Sequence, residues 1–171
     1  SMARSRGHDV GIAYLNLAFG GRIGVVEYAN LSNAPADWLL GERLFAHAAF
    51  GLDALDLPGF EETVRSHNAQ SPGRAQRYLD HLSDATGHAW DEWGTRYDSD
   101  QLARFSDAAT QLVDDAAPLL AGRAVVGVTS SFDQTNAAIA LLQRIKALSP
   151  EVTTVIGGAN CDGVMAEAVA D

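Results

Sequence analysis

A single cysteine, Cys161, occurs in 171 residues. That excludes an internal disulfide and fits a reducing, cytoplasmic setting. One thiol cannot hold an iron–sulfur cluster, and the CxxxCxxC run of a radical enzyme is absent. No apolar run approaches the roughly 18 residues of a membrane span, and no signal peptide is recognisable. Basic residues are scarce, 12 against 22 acidic, for a net charge of −10. So acidic a chain is a poor partner for nucleic acid or an anionic membrane, although a basic peptide remains compatible. The sequence also lacks G-x-G-x-x-G and G-x-S-x-G, which removes the usual marks of a dinucleotide site and of a serine hydrolase. Apolar residues make up 47% and charged residues 20%, the composition of one packed globular domain.

What is present centres on residues 124–161. Ala124 to Val128 is a short apolar run, which predicts a strand covered on both faces. Thr129, Ser130 and Ser131 follow its carboxyl end. Ser131 and Gln134 have capping-box spacing, with Asp133 as a competing N-cap. Ala138, Leu141, Leu142, Ile145 and Leu148 then form the stripe of a core-facing helix, which Ser149-Pro150 stops. Val152 to Ile156 reads as a second strand, followed by the turn Gly157-Gly158-Ala159-Asn160. The unit is βαβ, so the two strands are expected to be parallel. Both strand ends then share the sheet edge at which open α/β folds bind ligands. By spacing alone, ordinary turn residues remain an equal explanation.

Earlier in the chain, residues 3–7 read as the tail of a helix closed by Gly7, and Asp9 to Leu17 as a strand. The stretch RIGVVEYANLS reads as an extra strand or an irregular link. Asp37 to Phe50 predicts a helix with Trp38, Leu39, Leu44, Phe45, Ala48 and Ala49 on its apolar face. Short helices are expected over Phe60 to Ser66 and Arg74 to Gly87. A long helix is expected over Gln101 to Leu120, kinked or frayed near Pro118. The expected organisation is an α/β core from residues 1–30 and 121–171 with a helical insertion at 31–120.

Three stretches carry a resemblance: "VGVTSSF…PEVTTVIGGANCDG", "GHDVGIAYLNLAFG" and "GERLFAHAAFG". Together they resemble the cobalamin-binding domain of cobalamin-dependent radical S-adenosylmethionine proteins, in the branch that matures ribosomally synthesised peptides. The resemblance covers about half the chain. It implies a flavodoxin-like, doubly wound, mainly parallel sheet that binds cobalamin. It further implies that Thr129, Ser130 and Ser131 meet the tail region of the corrinoid, while Gly157, Gly158 and Ala159 let it pass close to the backbone. Phe132 and Asn160 complete the cofactor-binding residues that the resemblance implies. Similar proteins carry a strand and a helix before Gly7, and an aromatic where Arg43 stands. On this resemblance the chain lacks the first strand and the C-terminal part, and reads as a piece of a peptide-maturing methyltransferase. S-adenosylmethionine, the iron–sulfur cluster and the precursor peptide would engage the absent catalytic part. The alternative is a stand-alone or degenerate corrinoid-like interaction module with no catalytic role.

No D-x-H-x-x-G loop occurs, so no histidine is expected to ligate the cobalt. His81, Asp84 and His88 share a helix face at metal-like spacing, but a solvated face is the plainer reading and no metal site is expected. Asp91 and Glu92 lie between Trp90 and Trp93 in a patch expected to pack on the core. Cys161 has no histidine close in sequence and reads as an inert thiol. With a strand missing, unpaired edges predict a homodimer.

Overall fold

A computed structural model describes residues 2–34, 36–51 and 99–162. The short helices expected over Phe60 to Ser66 and Arg74 to Gly87, the His81/Asp84/His88 face and the aromatic patch at 88–98 lie outside the described residues. The order is α1 (Met2–Ser5), α2 (Leu15–Ile23), α3 (Val25–Ser32), a 3-10 turn (Ala36–Trp38), α4 (Leu40–Phe50) and α5 (Ser99–Leu120). Then come β1 (Val125–Thr129), α6 (Thr135–Leu148), β2 (Thr153–Gly157) and a second 3-10 turn (Ala159–Cys161). The class is mixed α/β, mostly helical, with a small parallel sheet.

The βαβ unit forms where its pattern places it. β1 and β2 pair in parallel, with Val125 opposite Thr153 and Thr129 opposite Gly157. Val126 and Val128 turn toward α6 and meet Leu141, Ile145 and Val152. The opposite face is bare: Val125 is 60% exposed and Val155 51%. This corrects the expectation of a strand covered on both faces. An apolar run records β-branched preference, and a second covering layer is needed to bury it.

The N-terminal region is a second correction. No strand forms over Asp9 to Leu17; residues 8–14 have no regular structure, and α2 begins at Leu15. RIGVVEYANLS is likewise neither strand nor irregular link over most of its length, because α3 covers Val25–Ser32. Leu15, Phe19 and Ile23 recur every four residues, and helical pairing of that stripe wins over the alternation of VGIAYLNL. Phe19 meets Phe45 with tilted rings, centroids 5.3 Å apart, and Tyr28 edge-on at 6.4 Å. Gly24, at φ 107°, makes the corner between α2 and α3.

The helix expected over Asp37 to Phe50 is broken at Leu39, whose φ is 48°. That left-handed residue sends Trp38 and Leu40 inward, both fully buried, while Leu39 stays exposed. The conformation costs about 1–2 kcal/mol for a residue with a Cβ, so neighbouring contacts must hold it. Arg43 Nε donates to the Trp38 carbonyl at 3.0 Å. α5 buries Leu102, Phe105, Ala109, Leu112, Val113 and Ala116, the whole expected stripe. It runs through Pro118 to Leu120, so the helix does not fray at the proline. Ser106 Oγ donates to the Leu44 carbonyl at 3.0 Å, tying α5 to α4. One core cluster joins Phe19, Trp38, Leu40, Leu44, Leu102, Phe105 and Ala140, and a second joins Ala117, Val126, Leu141, Ile145 and Val152.

Candidate functional site

The carboxyl ends of β1 and β2 bring Thr129 to Phe132 beside Gly157 to Asn160. Ser130 is fully buried. Its N–H donates to the Gly157 carbonyl at 2.6 Å, and its carbonyl accepts from Asn160 N–H at 3.2 Å. The Asn160 amide crosses between the turns, sharing its hydrogens among Phe132 O at 2.5 Å, Thr135 Oγ1 at 2.9 Å and Ser130 Oγ at 3.2 Å. Ser130 and Asn160 therefore form the floor of the edge, their polar groups used internally. Thr129, Phe132, Gly158 and Ala159 are exposed, with Ser131 and Gly157 half-buried.

The two glycines differ. A Cβ on Gly158 would lie 2.2 Å from the Ser130 carbonyl oxygen, and its φ is 118°. Gly158 is thus required by contact within the chain. A Cβ on Gly157 would meet nothing within 4 Å. Phe132 is 82% exposed with φ at 50°, a strained backbone that presents its ring to solvent. The space over Gly157 is open, and buried Ser130 and half-buried Asn160 tie the two turns together beneath it.

The start of α6 is capped in a way that the local sequence does not reveal. Ser131 and Gln134 do interact, with Ser131 N–H and Oγ both 3.3 Å from Gln134 Oε1. The free N–H groups of the helix are instead taken by Glu42, on α4. Thr135 N–H donates to Glu42 Oε1 at 2.9 Å and Asn136 N–H to Oε2 at 2.6 Å. Asn136 Nδ2 also donates to the Glu42 carbonyl at 2.8 Å. Asp133, expected as a competing cap for α6, instead faces the start of the other helix, where the Gly41 and Leu40 N–H groups favour its ionised form. Gly41 permits the approach, since a Cβ there would fall 2.3 Å from the Asp133 carbonyl oxygen. Burial, with the nearby Glu42 charge, raises the Asp133 carboxyl above its ordinary value, against the lowering by the Gly41 and Leu40 N–H groups.

Glu42 is the residue that sequence reasoning missed. Its only local signal is an acidic residue in the first turn of α4, which ordinarily suggests a cap for that same helix. Cys161 is half-buried, its N–H bonded to the Gly158 carbonyl at 3.0 Å. His8 sits by Asp9, which pairs with Arg123 at 3.0 Å ahead of β1, at the edge opposite the shelf. Among the described residues no group of three or more His, Cys, Asp or Glu is placed to hold a metal ion. No described helix is long and apolar enough to cross a membrane.

No protein-family model, curated protein or solved structure matches the chain.

Proposed function

We propose that this chain is a cobalamin-binding, flavodoxin-like domain of a radical S-adenosylmethionine protein that matures ribosomally made peptides. The observation that carries the proposal is the exposed shelf of small residues at the ends of two parallel strands, in the stretch whose sequence resembles that family. Thr129, Ser131, Phe132, Gly157, Gly158 and Ala159 would face the corrinoid; Ser130 and Asn160 would fix the two turns under it. When bound, a corrinoid supplies a transferable methyl group. This chain's residues bind and position. S-adenosylmethionine, an iron–sulfur cluster and the precursor peptide belong to a catalytic part outside this sequence.

The second reading is a docking module without a cofactor. The bare sheet face carrying Val125 and Val155 favours it. An absorbance titration with hydroxocobalamin separates the two. The corrinoid reading expects saturable, stoichiometric binding by the parent chain. Gly157→Leu, which places a side chain in open space, is expected to weaken binding at least tenfold while far-ultraviolet circular dichroism stays unchanged. Equal binding by parent and variant would put the ligand elsewhere, and no binding by the parent would favour the docking module.

A further inference from the structure

In open α/β sheets the N-terminus of the helix after a strand is the usual seat for a ligand's phosphate, because its N–H groups lack partners and the helix dipole attracts anions. In this protein that seat is filled by the chain itself. Both Glu42 oxygens lie on the Thr135 and Asn136 N–H groups, at 2.9 and 2.6 Å. Asp133 lies at the neighbouring start of α4. A helix end is worth about half a positive charge, so the Glu42 carboxylate leaves the α6 end net negative. Arg43, next to Glu42 on α4, donates to the Trp38 carbonyl.

We infer that Glu42 is a specificity-determining residue: it occupies the anion seat of the strand-end edge and excludes ligands that present a terminal phosphate, such as nucleotides or a flavin mononucleotide. The edge is thereby left to uncharged or amide-rich ligands. Asn136 strengthens the lock, since its side chain holds the Glu42 carbonyl at 2.8 Å and so fixes the turn that carries the carboxylate. The inference rests on the proposed function only for the location of the ligand edge.

The test uses inorganic phosphate against chloride at equal ionic strength, read by the amide resonances of Thr135 and Asn136 and by melting temperature. The parent is expected to show no saturable phosphate response. Glu42→Ala, which frees both N–H groups, is expected to gain one, with a melting temperature that phosphate raises more than chloride does. Glu42→Gln, which removes the charge and keeps one acceptor, is expected to fold and to gain a weaker response. A saturable shift of those amides in the parent would overturn the inference. So would the absence of any phosphate response in both variants, including a Glu42→Ala chain that phosphate fails to rescue. A parent that rejects phosphate and also ignores hydroxocobalamin would keep this inference and lose the corrinoid reading.

Discussion

Gly157 and Gly158 are chemically identical neighbours with different physical roles. Gly158 has a left-handed backbone and lies against Ser130, so a methyl group there has neither a permitted φ nor space. Gly158→Ala is expected to destabilise the fold by about 1–3 kcal/mol, a strained-backbone cost with a steric one added. Gly157→Ala is expected to change stability by less than about 1 kcal/mol. Urea unfolding of the two variants checks this; equal losses would show that the contact with Ser130 does not set the requirement. Ser130 and Asn160 were legible in the sequence as members of this edge, but not as its floor. A serine or asparagine at a strand end reads the same whether its polar atoms face a ligand or each other. The distinction depends on Asn160 lying across the turn from Phe132 and Thr135, residues 28 and 25 positions away.

Elements were legible where one periodicity ran without competition. The long helix α5 and the two strands agree with their patterns to within two residues at each end, while α6 starts at Thr135, later than a Ser131 cap places it. VGIAYLNL carried two patterns at once, and the helical stripe of Leu15, Phe19 and Ile23 prevailed because Phe45 and Tyr28 receive Phe19. The break at Leu39 and the cap that Glu42 supplies to α6 were illegible, since Glu42 and Thr135 are 93 residues apart. A cap supplied from another helix leaves no spacing to recognise. The strands themselves carry a liability. VVGVT and TTVIG contain no charge and no proline, so neither strand carries within it a residue that blunts its outer edge. Self-association through those edges is the expected outcome, seen as a sedimentation coefficient that rises with concentration. One value across a hundredfold range of concentration would contradict it.

At the largest scale described, α6 packs on one face of the parallel strand pair and links it to α4 and α5. Phe19, Leu44, Leu102 and Phe105 share one cluster, while Val126, Leu141 and Ile145 share the other. α6 belongs to both through Ala140 and Leu141, so it joins the helical layers to the sheet. The turns at the strand ends are anchored at both sides, by Asn160 after β2 and by the Glu42 cap from α4. An edge fixed in this way is preorganised, and a ligand binding there has little ordering cost to offset. The most direct measurement is backbone nuclear magnetic resonance of the parent chain with increasing hydroxocobalamin. Saturable shifts are expected to concentrate at Thr129 to Phe132 and Gly157 to Asn160, with α2 and the outer face of α5 unaffected. Shifts centred elsewhere, or none at stoichiometric cobalamin, would contradict the corrinoid reading.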